Sequence, residues 1–208
     1  MHTVHLLRHG EVYNPQRILY GRLPGYRLSE LGQRQAEAAA AWLGARDIGY
    51  LASSPLERAR QTAEPVAAAV GLDVLLDDRL TEADNKLSGR QVAGGKGLFV
   101  DPSNWKYFVN PLRPSWGEPY ASIAVRVLAA ARAARDAADG REAVCVTHQL
   151  PIVAARRRVQ GLPLAHDPRK RHCALASVTS FVFIDDVVVR VDYAEPAAAL
   201  PSGHGAGA

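Results

Sequence analysis

Residues 3–10, TVHLLRHG, carry an apolar run directly into arginine, histidine and glycine. The run predicts a short buried strand. Glycine weakens a strand, so we expect this one to end near Gly10. Arg8 and His9 would then lie side by side at its carboxyl end, where a cation and an imidazole indicate a functional site.

The remainder of the chain alternates predicted helices with predicted strands. Ser29 is a suitable N-cap for a helix through Leu43, and Pro55 suits the first turn of a helix that ends at Gly71. This alternation predicts an α/β fold, a three-layer sandwich whose central sheet is largely parallel, with helices on both faces. Further helices are predicted over 121–140 and 150–161, and further strands over 50–54, 72–78, 142–148, 176–184 and 187–193.

Two segments break the regular pattern. Residues 83–120 show no clear period and mix glycine, proline and aromatic residues, which predicts a lid insertion over a site. Residues 196–208, PAAALPSGHGAGA, are typical of a disordered tail. We therefore expect a single domain over 1–195 followed by that tail.

The composition favours a globular cytoplasmic protein. Hydrophobic residues make up 48% of the chain, and the formal net charge is +4. The two cysteines, Cys145 and Cys173, do not indicate a disulfide framework. No apolar run is long enough to span a membrane, and no signal-peptide pattern begins the chain. The mildly basic balance fits an anionic substrate as well as a solvated surface.

Three predicted strand ends carry the polar residues of interest. Arg8 and His9 follow the first strand, Arg58 and Arg60 begin the helix after the second, and the triplet 147–149 (Thr-His-Gln) follows a later one. In open α/β sheets, ligands bind beyond the carboxyl ends of the strands. Helix N-termini there add backbone N–H donors. The convergence of imidazoles and arginines predicts a site for a compact polyanion such as phosphate.

These segments resemble the histidine phosphatase superfamily, in its phosphoglycerate-mutase-like branch. The resemblance rests on the ordered motifs LLRHGEVYN, LSELGQRQA, SSPLERARQTA, LTEAD and VTHQ. It implies a phosphohistidine intermediate with His9 as nucleophile and Glu82 as general acid. It also implies that Arg8, Arg58 and His148 form the phosphate pocket.

The chemistry of the side chains agrees with those roles. A neutral imidazole is a competent nucleophile near pH 7. Arginines and a protonated His148 can stabilise the charge that develops on the phosphoryl oxygens, while a carboxylic acid can protonate the leaving alkoxide. Asp78, Asp84 and Glu118 compete with Glu82 for the acid role. No metal or other cofactor is required, and His5 and His9 lie too far apart along a strand to chelate one easily.

Several departures from the family pattern bear on the substrate. Asn14 stands one residue earlier than the usual asparagine, so it is a candidate phosphate contact only by approximate match. Gln149 replaces a usual glycine and would narrow the pocket or add an amide donor. The predicted lid carries basic and aromatic side chains that would hold a second anion and stack a ring, or simply pin the loop: Lys86, Arg90, Lys96, Lys106, Arg113, Trp105, Tyr107, Phe108, Trp116 and Tyr120.

The leading hypothesis is a metal-independent phosphomonoesterase acting on a small phosphorylated metabolite. Phosphoglycerate mutase-type transfer is one alternative. A non-catalytic phosphate-binding module is another, and basic clusters at 156–158 and 169–172 would then contact an acidic partner or nucleic acid. We expect no nucleic-acid or membrane partner, and a homodimer through a sheet edge is a further expectation.

Overall fold

The computed structural model describes residues 1–91 and 117–200. Within these ranges, short 3-10 turns at Asp78–Leu80 and Pro168–Lys170 accompany six strands and four α-helices. In chain order these are β1 (His2–Arg8), α1 (Glu30–Gly44), β2 (Ile48–Ser53), α2 (Glu57–Val70), β3 (Leu75–Leu76), α3 (Tyr120–Ala137), β4 (Glu142–Thr147), α4 (Gln149–Val159), β5 (Val178–Ile184) and β6 (Val187–Ala194).

The strands form one sheet in the order β3-β2-β4-β1-β5-β6. Strands β3, β2, β4 and β1 run parallel, with Leu6 opposite Cys145 and Arg8 opposite Thr147. The closing strands reverse direction, since β5 is antiparallel to β1 and β6 is antiparallel to β5. The predicted α/β fold with a largely parallel sheet is confirmed.

Helices cover both faces of the sheet, as the three-layer prediction requires. Helices α1 and α2 pack together on one face, over a core that includes Leu43 and Leu51. Helices α3 and α4 pack together on the other, over a core that includes Ile123 and Ile152. Strands β1 and β4 are buried between these layers, which explains their nearly continuous apolar sequences.

The third strand is shorter than predicted. A strand was expected over 72–78, but only Leu75 and Leu76 pair with β2. The side chain of Asp77 accepts a hydrogen bond from the backbone N–H of Arg79 and caps the following 3-10 turn. This local bond turns the chain away from the sheet edge and toward Glu82.

The two irregular segments are partly described. Residues 92–116 of the predicted lid lie outside the described residues, as do most of its basic and aromatic side chains. Gln91 in its first flank bridges to Ile18, and Asn85 bridges to Gly117 in its second flank. The prediction of a disordered tail was wrong for residues 196–200. Ala197 is buried against the layer formed by α1 and α2, and Leu200 packs beside it. Residues 201–208 lie outside the described ranges.

Both cysteines are free thiols, and both are buried. Among the described residues, the helices lack the combination of length and apolar character that crossing a bilayer requires.

Candidate active site

The register of the central strands brings the two expected histidines together. The backbone N–H of His9 donates to the carbonyl of Thr147 at 3.1 Å, and that of Arg8 donates to the carbonyl of Ser177 at 3.0 Å. The peptide after β1 is therefore held between the end of β4 and the segment leading into β5. The ring centroids of His9 and His148 lie 5.1 Å apart as a result.

The glycine that follows His9 is required by a close approach. A Cβ on Gly10 would lie 2.4 Å from the carbonyl oxygen of Gly32, in the first turn of α1. The N–H of Gly10 donates to the hydroxyl of Thr62 on α2 at 3.1 Å. The two helices can reach the end of β1 only because this residue has no side chain.

His9 presents one free ring nitrogen. Its side chain is fully buried, and its Nδ1 lies 2.7 Å from the carbonyl oxygen of Gly10, to which it must donate. The lone pair then resides on Nε2, which has no hydrogen-bond partner within the described residues. Burial lowers the pKa of His9 well below its usual value, and the charges of Arg58 and Arg8 lower it further. This imidazole is neutral and has the electron pair that a nucleophile needs.

His148 is held by a residue that the sequence argument missed. Its Nε2 lies 2.8 Å from the hydroxyl of Ser54, at the end of β2, while its Nδ1 has no partner among the described residues. Burial lowers the pKa of His148 well below its usual value, and the charges of Arg58 and Arg8 lower it further. The lowered pKa disfavours the protonated form of His148 that the sequence analysis expected. In the tautomer in which Ser54 donates to Nε2, Nδ1 carries the proton and can donate to a bound anion.

Two buried arginines supply the positive charge. Arg8 donates through Nη1 to the carbonyl of Cys173 at 2.6 Å, and Arg58 donates through Nη2 to the carbonyl of Gly21 at 2.7 Å. The guanidinium of Arg58 also lies 4.7 Å from the centre of the Tyr20 ring. The Nε atoms of both arginines are buried without partners in the described chain. Both guanidiniums thus retain donors for an anion.

Glu82 is the buried carboxyl of this site. Its Oε1 accepts from the N–H of Ala83 at 2.8 Å, and its Oε2 has no partner in the described ranges. Burial raises the pKa of Glu82, while that bond and the charges of Arg58, Arg171 and Arg8 oppose the rise. A raised pKa favours the protonated form that can donate to a leaving group.

The competing carboxyls are placed differently. Asp78 and Asp84 are exposed, and Glu118 forms an ion pair of 2.8 Å with Arg126. Glu118 also lies 3.3 Å from Arg22, whose Nε donates to the backbone carbonyl of Glu82. Among the candidates considered, Glu82 alone combines burial with proximity to the two arginines.

Asn14 and Gln149, the remaining candidates, lie at the margin of this group. The side-chain amide of Asn14 donates to the carbonyl of Ile18 at 2.8 Å and accepts from its N–H at 3.0 Å, which stabilises the loop after β1. Gln149 donates to the carbonyl of Cys173 at 3.4 Å, the same oxygen that Arg8 uses. Gln149 thus adjoins the arginine pocket, whereas the bonds of Asn14 lie within its own loop.

Arg171 is a second residue that the sequence argument did not identify. It belongs to the basic cluster over 169–172, which the sequence offered as a contact for an acidic partner or nucleic acid, yet its side chain is only partly exposed. Its charge acts on Glu82 and on Arg8, so it lies at the edge of the same site. No local pattern separates Arg171 from its exposed neighbours, Arg169 and Lys170.

A metal centre is not formed by the residues described. Over 1–91 and 117–200, no three His, Cys, Asp or Glu side chains cluster closely enough to hold an ion.

Comparison with known proteins assigns the family. A model of the histidine phosphatase superfamily (branch 1) matches residues 4–195. The chain belongs to this superfamily. The phosphoglycerate-mutase-like resemblance in the motifs is thereby confirmed, and the fold agrees with that of solved superfamily members.

Some relatives carry a name that states an activity, and others are described as uncharacterized. A Mycobacterium tuberculosis protein named "Uncharacterized protein Rv0525" is 51% identical over 195 residues, covering 94% of this chain and 96% of that protein. The "Probable phosphoglycerate mutase GpmB" of Shigella boydii is 32% identical, covering 86% of this chain and 85% of the relative. The structure of mycobacterial glucosyl-3-phosphoglycerate phosphatase Rv2419c complexed with VO3 superposes with a TM-score of 0.74 at 30% identity, covering 93% of this chain and 98% of that one.

Proposed function

We propose that this superfamily member is a phosphomonoester hydrolase that acts through a phosphohistidine at His9, without a metal, on a small phosphorylated metabolite. The observation that carries the proposal is the buried Nε2 of His9, which has no partner over 1–91 and 117–200 and lies beside Arg8 and Arg58. A neutral nucleophile next to two guanidiniums, each with an Nε that has no partner among the described residues, suits attack on a phosphoryl group.

The first half-reaction transfers the phosphoryl group to the protein. The Nε2 lone pair attacks phosphorus, the bond from phosphorus to the ester oxygen breaks, and Glu82 gives its proton to the departing alkoxide. Arg8 and Arg58 neutralise the equatorial oxygens, and the Nδ1–H of His148 donates to one of them. The products are the free alcohol, phosphorylated His9 and the Glu82 carboxylate.

The second half-reaction returns the site to its starting state. The Glu82 carboxylate accepts a proton from water as the water oxygen attacks phosphorus. The bond from Nε2 to phosphorus then breaks, and inorganic phosphate leaves. The arginines supply the charge neutralisation that a metal would otherwise provide.

The first experiment measures phosphate release from p-nitrophenyl phosphate in EDTA, with wild type beside His9→Ala. We expect turnover and an acid-labile phosphoenzyme with the wild type, and neither with the variant. Activity that survives in His9→Ala would refute the proposal. If neither protein turns over, thermal shift with phosphate-containing ligands tests the non-catalytic binding alternative.

A mutase remains the second candidate because the curated relatives include a probable phosphoglycerate mutase. A mutase passes the phosphoryl group from His9 back to a second hydroxyl rather than to water. Incubation with 3-phosphoglycerate separates the two activities. Isomerisation without matching phosphate release would favour the mutase, whereas phosphate release alone favours the hydrolase.

A further inference from the structure

A second basic surface lies beyond the residues of the proposed reaction. The last turn of α4 and the chain that follows it enclose a cavity of about 360 Å³. Four cationic side chains line it, and we call them the basic cleft: Arg156, Arg157, Lys170 and Arg171.

The cations of the basic cleft form no salt bridge with a carboxylate of the described residues. Arg156 donates to the carbonyl of His172 at 3.2 Å, Arg157 to the carbonyl of Pro163 at 2.6 Å, and Arg171 to Nε2 of His166 at 3.0 Å. All three acceptors are neutral or lie on the backbone. The acidic side chain that also lines the cavity, Asp167, is already paired with Arg169 at 2.9 Å.

Capping of the C-terminus of α4 does not account for the presence of these arginines. Basic residues in a last turn commonly compensate for unpaired carbonyls. Here the carbonyls of residues 156–158 already accept backbone N–H groups, from Gln160, Leu162 and Gly161. The guanidiniums are therefore available to a ligand.

Arg171 joins the basic cleft to the candidate active site. Burial lowers the pKa of Arg171, whereas the nearby Tyr120 and Glu82 raise it. The carbonyl of His172 bonds to Arg156 in the cleft, and the next carbonyl, of Cys173, bonds to Arg8 in the phosphate pocket. The segment 171–173 therefore separates the two groups of cations and contacts both.

We propose that the basic cleft binds a phosphate group, at a site distinct from the one at His9. A small concave cavity lined by arginines suits a compact dianion, because each guanidinium can direct several N–H groups at its oxygens. An extended polyanion such as nucleic acid would instead need cations spread along an open face. The phosphate group is either a second phosphate of the substrate, which rests on the proposed function, or a free phosphate bound alongside it.

Calorimetric titration of the full chain with inorganic phosphate tests the site without requiring turnover. The test variant is Arg157→Gln with Lys170→Gln, which leaves the His172 contact of Arg156 intact. Its matched control is Arg158→Gln, an exposed arginine on the same helix that does not line the cavity. We expect the double variant to bind one phosphate fewer than the control, or to bind that phosphate at least about tenfold more weakly.

Equal isotherms for the double variant and the control would overturn the proposal. Thermal unfolding establishes that each variant is folded, and Arg157→Lys with Lys170→Arg, which keeps both charges, should retain the site. Loss of the phosphate site in this charge-conserving variant as well would indicate general damage to the cleft and would also count against the proposal.

Alkyl phosphates identify the source of the phosphate. Hexane-1,6-diol bisphosphate is compared with the monophosphate of the same diol. If the cleft binds the second phosphate of a substrate, KM is lower for the bisphosphate, and the double variant removes that difference. If it binds free phosphate, the KM ratio stays the same while the calorimetric site is lost. Failure of the proposed hydrolysis would abolish turnover but leave the calorimetric result intact.

Discussion

The imidazole rings of His9 and His148 lie 5.1 Å apart, with their planes inclined at 59°. Each ring uses one nitrogen for a protein contact, His9 to Gly10 and His148 to Ser54. The other nitrogen of each ring has no partner within the described residues. Because burial and the adjacent arginines lower both pKa values, one ring can attack phosphorus while the other donates a hydrogen bond.

The pH dependence of hydrolysis follows from two opposed pKa shifts. His9 must be neutral, and its lowered pKa shifts the acidic limb below the usual pKa of histidine. Glu82 must be protonated, and its raised pKa shifts the alkaline limb above the usual pKa of glutamate. Rates therefore rise as His9 loses its proton and fall as Glu82 loses its own. We expect a bell-shaped profile of kcat/KM, measured with an alkyl phosphate.

Substitution of the acid separates its role from that of the nucleophile. Glu82→Gln should remove the alkaline limb and lower kcat for an alkyl phosphate by about 10²–10⁴-fold. The loss should be much smaller for p-nitrophenyl phosphate, whose leaving group needs little protonation. Equal losses on both substrates would argue against proton donation by Glu82.

The hydroxyl of Ser54 should orient His148. Ser54→Ala removes the bond to Nε2, so the ring loses its fixed tautomer and direction. We expect kcat to fall about 10–100-fold, as for other residues that orient a functional histidine. Ser54→Thr retains a hydroxyl and serves as the control. A kcat for Ser54→Ala equal to that of wild type would show that Ser54 does not orient His148 for the reaction.

Arg58 should not be replaceable by lysine. Its guanidinium bonds to Gly21, lies against Tyr20 and keeps an Nε that no described residue contacts, and a single ammonium cannot do all three. Arg58→Lys should lower kcat/KM for p-nitrophenyl phosphate by at least about tenfold. Arg60→Lys, at an exposed position on the same helix, should change it little. Similar effects of the two substitutions would contradict a specific role for Arg58.

Gly10 should be intolerant of any side chain. In Gly10→Ala, the new methyl group would meet the carbonyl of Gly32, so the end of β1 must move. We expect a loss of about 1–3 kcal/mol in the free energy of unfolding, measured in urea, together with a loss of activity. Gly25→Ala serves as the comparison, because no atom lies within 4 Å of its Cβ position, although its φ of 82° adds backbone strain. A Gly10→Ala protein of unchanged stability and activity would show that the chain around Gly32 accommodates the methyl group without cost.

His5 should affect stability without affecting catalysis. Its ring lies 2.8 Å from both Ser180 and Glu142, and it stands four residues before His9, about 13 Å along the strand. His5→Ala should lower the free energy of unfolding by about 1–3 kcal/mol. The kcat for p-nitrophenyl phosphate at 25 °C should stay near that of wild type. A fall in kcat without a change in stability would link His5 to the reaction.

Sequence reasoning located the strand ends and the residues they carry, because each depends on a local pattern. Arg8, His9 and His148 follow buried apolar runs, and Arg58 begins a helix. It missed Ser54 and Arg171, whose roles depend on distant contacts. Ser54 meets His148 across 94 positions of sequence. Arg171 differs from Arg169 only in the direction of its side chain, which tertiary packing decides.

The tail was misassigned for a similar reason. Its composition of alanine, proline and glycine gives no periodic signal, yet Ala197 and Leu200 pack against the layer formed by α1 and α2. The shortened β3 reflects a side-chain cap at Asp77 that competes with sheet pairing. In both places a few specific contacts outweigh the average preference of the segment.

The reversed direction of β5 brings a late part of the chain to the edge of the sheet that carries the candidate active site. Because β5 runs against β1, its amino end lies where the parallel strands finish, and residues 171–177 enter the sheet beside Arg8 and His9. This segment, residues 171–177, does not belong to the parallel strands. Its length and charge can therefore change while those strands, and the candidate catalytic groups at their ends, stay fixed. Substrate specificity can therefore diverge among related chains through changes in this segment, without changes in the residues proposed to carry out the reaction.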